Sequence, residues 1–256
     1  MSEIFPAKSI AMEVVSCTDP SKIRLFNRWF DQWYLGQLRA TPGIVDVYRY
    51  LDVEPDLGEL AVGRFAPTQG SPTRYLNVYR IDSDDPWAVM RQVARDRERR
   101  ISAGELPEYF QSYETTAWDL VAVRQSIQPP VRPATRLPDG MPEVILVVFS
   151  GADPAKQFEH NDWWLYTHAH DLLETPGMTQ CERYRNLDPE RPEDTALFLN
   201  IYEFDTDDPV GALSKILDDD EKVRKPQGRF SPFNKPCRPG ASGIYRHWDV
   251  MSGRWA

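Results

Sequence analysis

An α+β fold made of two tandem βαββαβ repeats is what this sequence predicts, and three observations predict it. First, the chain repeats itself. The segment 19-DPSK-22 stands over 153-DPAK-156, 27-NRWF-30 over 161-NDWW-164 and 41-TPG-43 over 175-TPG-177, all in one register with 134 positions between copies. The match continues with 49-RY-50 over 183-RY-184, then 77-NVYRIDSDDP-86 over 200-NIYEFDTDDP-209 after a longer loop in the first copy, and ends with Trp118-Asp119 over Trp248-Asp249. Second, 126-SIQPPVRPATRLPDGMP-142 is proline-rich and without periodicity, as a linker is. Third, each copy alternates short β-branched runs with stretches whose apolar residues recur at three and four positions. The chain therefore divides into a first repeat at 1–125, a linker at 126–141 and a second repeat at 142–256.

Taken in order, Ile10–Ser16 and Val144–Ser150 read as strands, each followed by an Asp-Pro pair suited to starting a helix. Helices follow from about Lys22 to Ala40 and Lys156 to Glu174, with Phe26, Trp29, Phe30 and Trp33 on one face of the first and Trp164, His168 and Leu172 on the second. Thr-Pro-Gly stops both, because proline cannot continue the hydrogen-bond ladder and glycine turns freely. The runs 44-IVDVYRYL-51, 178-MTQCERYRN-186, 75-YLNVYRI-81 and 197-LFLNIYEF-204 are rich in strand formers. Acidic turns ending in proline cap second helices near Pro86 and Pro209, and final strands lie near Thr115–Val123 and Gly243–Val250. This order is the split βαβ, ferredoxin-like unit. Its sheet carries both helices on one face and leaves the other bare, so it must find a partner. The second copy supplies one, giving an α/β barrel with pseudo-twofold symmetry, closed within the chain or between chains.

With 256 residues, 41% hydrophobic and 27% charged, the chain can bury an ordinary core. A net charge of −9 and a pI near 5.0 disfavour nucleic acid as a partner. No apolar run reaches the roughly 18–20 residues a membrane span needs, and 1-MSEIFPAKSI-10 lacks the order of a secretory signal, so a cytoplasmic location is expected. Cys17, Cys181 and Cys237 stand far apart and suggest neither zinc nor a disulfide framework.

The stretch Asp162-Trp163-Trp164, then three residues, His168, and eight positions later Pro176-Gly177, resembles the helix motif of the dimeric α/β-barrel superfamily, in particular its EthD-like members. Arg183-Tyr184 resembles that family's Arg-aromatic pair on the next strand. The first copy departs from the motif: Arg28-Trp29-Phe30 and Tyr34 stand where the acidic residue and the histidine belong. The resemblance thus implies one site per chain, in the second copy. The superfamily includes cyclases, cofactor-free monooxygenases, isomerases and haem enzymes, so it implies architecture more firmly than activity.

His168 is the expected acid or base, since imidazole alone titrates near neutral pH unaided; its structural alternative is a hydrogen-bonded histidine between helix and sheet. Trp164, one turn earlier, is expected to shield it. Tyr34 is a second proton donor or aromatic filler. Asn77 and Asn200, at one place on paired strands, bond backbone or a substrate oxygen. Arg49 and Arg183 form ion pairs with a neighbouring strand or bind an anionic substrate. His168 and His170 point about 200° apart on a helix, and His160 lies roughly 12 Å along the axis from His168, so no metal site is expected. The charged run Arg95–Arg100 reads as a solvated helix face and Asp218–Glu221 as a helix end. The basic and aromatic segment 222–240, with Arg224, Lys225, Arg229, Phe230 and Phe233, reads as a mobile surface connection or as a lid that would suit an anionic aromatic molecule.

No nucleotide or flavin fingerprint occurs, so no cofactor is expected. The expectation is a cofactor-independent enzyme of lyase, cyclase or isomerase type, moving a proton on a hydrophobic aromatic or polyketide-like molecule. Its rivals are a non-catalytic binding protein, with or without a homodimeric assembly, and a haem enzyme using the histidine as axial ligand.

Overall fold

The computed structural model describes residues 8–52, 74–127, 142–188, 196–229, 234–235 and 243–248. Strand β1 (Ser9–Cys17) leads through a short turn, Pro20–Lys22, into helix α1, which runs Ile23–Trp29, widens to a π turn over Phe30–Tyr34 and resumes over Leu35–Arg39. Strands β2 (Ile44–Asp52) and β3 (Arg74–Ile81), helix α2 (Pro86–Ser102) and strand β4 (Phe110–Gln125) complete the first half. The second half has β5 (Val144–Ala152), helix α3 (Gln157–Trp163, a π turn Trp164–His168, then Ala169–Leu173), β6 (Met178–Asn186), β7 (Phe198–Phe204), α4 (Pro209–Asp219, continued by a π turn Asp220–Arg224), and two short strands, β8 (Asn234–Lys235) and β9 (Gly243–His247).

The local chemistry at element ends is the one the sequence announces. Asp19 and Asp153 accept from backbone N–H groups two residues on, at 3.0 Å each, and Asp85 and Asp208 cap α2 and α4 by accepting from Ala88 and Gly211 at 2.8 Å. After both long helices the chain turns on a left-handed glycine, Gly43 at φ 89° and Gly177 at φ 87°, where a Cβ would meet Val89 or the Asp205 carbonyl. The acidic stretch expected to end α4 instead continues into its π turn, because Arg224 folds back on Asp220 at 2.7 Å.

All sheet pairings among the long strands are antiparallel. The first half has the ferredoxin-like order β4-β1-β3-β2, and the second half the corresponding order β9-β5-β7-β6. The halves meet along two edges, β4 with β6 and β2 with β9, so the pairings run round a closed circuit of eight strands. β8 adds two residues to the end of β5. Both faces of a strand are thereby covered: every residue of β1 and of β7 is buried. One face looks onto an inner core of Met12, Val14, Tyr50, Leu76, Trp118, Tyr184, Leu199 and Tyr245. The other lies under the helices, in two separate cores, one beneath α1 and α2 and one beneath α3 and α4. The space between helix and sheet is therefore where the two halves can differ without disturbing the closed circuit.

Candidate functional site

The candidate site lies under α3, against the outward faces of β6 and β7. It is set by the π turn Trp164–His168, since one extra residue per turn brings side chains five apart, rather than four, onto one another. His168 stacks on Trp163, with ring centroids 4.7 Å apart and planes tilted 24°. Trp29 and Tyr34 stack in the same way at 5.1 Å in the π turn of α1. The shield expected of Trp164 is thus provided by Trp163, because a four-residue spacing assumes a regular helix. Trp164 is instead fully buried and reaches the same phenol as the histidine: its indole N–H donates to Tyr202 Oη at 3.4 Å, while His168 Nε2 lies 3.2 Å from that oxygen. Tyr202 is buried, and burial pushes its pKa up, so it stays a neutral phenol. The half-buried imidazole is held by a phenol on its edge and an indole on its face.

Arg183 projects from β6 into the same layer. It is 1% exposed. Its Nε donates to Asn161 Oδ1 and its Nη1 to Asn200 Oδ1, both at 2.8 Å, and its guanidinium lies 3.9 Å over the Phe198 ring and 5.3 Å from that of Trp164. Its Nη2 has no hydrogen-bond partner, and no carboxylate pairs with it among the described residues. Burial lowers its pKa to about 9. The expected ion pair to a neighbouring strand is absent because the facing strand offers an amide, Asn200, in register with it. Asn200 also donates to Val148 O at 3.2 Å and Ser150 Oγ at 3.3 Å, so it ties β5 to β6 through the arginine. His160, which sequence reasoning weighed only as a metal ligand, lies between Trp163 and Phe198; burial, then the nearby Arg183 charge, lowers its pKa to about 4.

The first half fills the same layer differently. Arg49 is in register with Asn77 as Arg183 is with Asn200, and it lies 3.7 Å over the Tyr75 ring. Its Nη2 donates to Asn27 Oδ1 at 2.8 Å, but its Nη1 pairs at 2.9 Å with Asp31, on the helix rather than the neighbouring strand. Asp31 accepts from Trp248 Nε1 through its other oxygen, at 3.1 Å. Tyr34, at the place of His168, is buried, and burial pushes its phenol well up. Asn77 donates to Glu13, which also accepts from Tyr79, Arg97 and Ser112. Arg97 therefore leaves the solvated run expected of 95–100 to neutralise a buried acid. The first half's layer is closed by its own ion pairs, and it brings Arg49, Asn77 and Tyr34 to no common opening with His168.

The segment after α4 runs back along α3. Trp163 Nε1 donates to Arg229 O at 2.8 Å, fixing the indole under His168. Arg224, Lys225 and Arg229 do not face an apolar pocket: they pair with Asp220, Glu221 and Asp171. Phe230 and Phe233 lie outside the described residues. Tyr166 and His170 are exposed, on faces away from His168. Haem does not fit the described residues at this histidine, since Nε2 is turned to a buried phenol and one ring face is covered by Trp163.

No family model matches the chain, and none of the curated proteins matches it. Among solved structures, it is similar to an anthrone oxidase-like protein, at 16% identity and a TM-score of 0.55 over 95% of this chain and 93% of that one. It is also similar to a mutant chlorite dismutase from Candidatus Nitrospira defluvii, at 10% identity and a TM-score of 0.51 over 95% and 92% of the two chains. Both likenesses concern the fold. No described helix is long and apolar enough to cross a membrane.

Proposed function

We propose that the chain is an internally duplicated, EthD-like α/β barrel with pseudo-twofold symmetry, and that only its second half is a working site. There it acts as a cofactor-independent enzyme, moving a proton on a hydrophobic aromatic molecule bound between α3 and the sheet. The duplication is supported by element bounds that recur at the register of the sequence repeat, including a π turn at Phe30–Tyr34 and another at Trp164–His168. π turns are frequent at functional positions.

The observation that carries the activity is the group of Trp163, His168, Trp164 and Tyr202. A half-buried imidazole can take a proton from an acidic C–H, and the imidazolium Nε2–H then donates to Tyr202 Oη, already 3.2 Å away. The Trp164 N–H on the same oxygen fixes the phenol's orientation beforehand. The Trp163 indole covers one face of the imidazole and limits water there. Arg183, with Asn161 and Asn200, lines the polar side of the same layer. Whether the net reaction is a cyclisation, elimination or isomerisation depends on the substrate, and proton abstraction is the step common to all three.

Anthrone, a tricyclic aromatic ketone with an acidic CH2, is a suitable probe, in keeping with the anthrone oxidase-like fold neighbour. In D2O without oxygen, the protein is expected to accelerate deuterium incorporation at that carbon at least about tenfold over buffer, and His168→Ala to remove about 10²–10⁴-fold of any larger acceleration, the range typical of one acid–base group. Exchange that persists unchanged in His168→Ala refutes the assignment.

A further inference from the structure

The two buried arginines share a register, an amide partner on the preceding helix and an aromatic floor, and they differ in charge pairing. Arg49 is neutralised by Asp31 and leaves only its Nε without a partner, whereas Arg183 has no carboxylate among the described residues and its terminal Nη2 is the group without a partner. Asp31 is the second residue of the π turn in α1, and the second residue of the π turn in α3 is Leu165. On the far side, Trp248 follows β9 and donates to Asp31, while Arg183 is paired across β4 with the small Ala122. An isolated buried charge is costly, and breaking a buried pair by removing one partner is strongly destabilising, so a chain that keeps the cation and omits the anion leaves a strong demand for one.

We infer that the second-half site takes an aromatic monocarboxylate, whose carboxylate sits on Arg183 Nη2 where Asp31 sits on Arg49 in the first half. Asp31 is then a built-in copy of the ligand's anionic group, and Leu165, at the corresponding place in the second π turn, supplies no carboxylate of its own. A carboxylate suits the place because its internal counterpart, Asp31, is one, accepting directly from the Arg49 guanidinium. The aromatic part of the ligand is called for by Trp164 and Phe198 beside the guanidinium. One carboxylate binds per chain, since Asp31 already fills the equivalent place in the first half. This inference rests on the proposed site but not on His168, and anthrone carries no carboxylate, so the exchange and binding experiments fail independently.

The test is calorimetric titration of the whole protein with 1-naphthoate and with its neutral analogue 1-naphthamide. Wild type is expected to bind one naphthoate per chain, at least about tenfold more tightly than the amide, as one charge-assisted bond would give. Leu165→Asp, which supplies the internal anion, and Arg183→Gln, which removes the cation, are each expected to weaken naphthoate binding about tenfold or more. Circular dichroism identifies any variant that fails to fold, and the amide comparison on wild type needs no variant. Equal affinity for naphthoate and naphthamide, no naphthoate binding by wild type, or unchanged affinity in folded Leu165→Asp or Arg183→Gln overturns the inference. Naphthoate binding as expected, with deuterium exchange unaffected by His168→Ala, refutes the proton-transfer reading alone.

Discussion

The two halves of this molecule place an arginine in the same layer and surround it differently, one with acids and the other with amides and rings. Around Arg49, each charge has an opposite: Asp31 for the cation, with Trp248 also on Asp31, and Arg97 for Glu13, with Tyr79, Ser112 and Asn77 also on Glu13. Around Arg183, amides and rings replace the acids: Val148 faces Asn200 across the sheet where Glu13 faces Asn77, and Leu165 stands for Asp31. The phenol on the third strand of each half changes partner accordingly. Tyr79 serves Glu13, and Tyr202 serves His168. A closed polar network rigidifies, while an incomplete one leaves hydrogen-bonding capacity for something that is not part of the chain.

The largest effect on this contrast comes from exchanging the two residues that create it. Asp31→Leu strands Arg49 in a buried layer and is expected to cost about 3–5 kcal/mol in urea denaturation. Leu165→Asp, by contrast, gives Arg183 a counter-ion and is expected to stabilise by about 1–3 kcal/mol. Equal destabilisation by both would mean that Arg183 is already neutralised.

A smaller effect concerns acid. His160 has a folded pKa of about 4 against 6.5 for the unattached side chain. On lowering the pH the unfolded chain takes up this proton first, so the contribution of His160 is complete above about 6.5 and falls away toward 4, by on the order of 3 kcal/mol at most. His160→Gln is expected to flatten that limb of the stability–pH curve, whereas Tyr34→Phe in the first half leaves it in place. A limb of unchanged steepness in His160→Gln would place the acid sensitivity elsewhere.

The smallest effects are shared by both halves. Gly43→Ala and Gly177→Ala force an L side chain into a left-handed turn, with Cβ 2.8 Å from Val89 Cγ2 in one and 3.2 Å from Asp205 O in the other. Each is expected to cost about 1–2 kcal/mol in thermal unfolding. A cost confined to one of them would show that the turns are not equivalent.

Much of the fold was legible because its signals are local or periodic. The Asp-Pro starts, the Thr-Pro-Gly stops and the β-branched runs each act within a few residues, and the sheet's need for a partner follows from a βαββαβ order that puts both helices on one face. The spatial grouping of the candidate residues was partly legible; their arrangement was not. His168, Trp164, Arg183 and Asn200 do come together in one layer, but a π turn is invisible to a period of 3.6, so the expected shield Trp164 gives way to Trp163, which stacks on the histidine. The partner of Arg49 was sought on a strand because the register of β2 and β3 can be counted, whereas which helix residue lies over a strand depends on how α1 packs. The sequence also sets Leu165 at the place that corresponds to Asp31, with an arginine on the following strand in each half, Arg183 and Arg49.

The central claim is that chemistry belongs to the second half because His168 stands where the first half has Tyr34. The most direct measurement is deuterium exchange at the anthrone methylene by His168→Tyr, which gives the second site the first half's residue while keeping an aromatic ring against Trp163. The expected rate is that of buffer alone, with the fold retained by circular dichroism. Exchange at the wild-type rate in this variant would contradict the account.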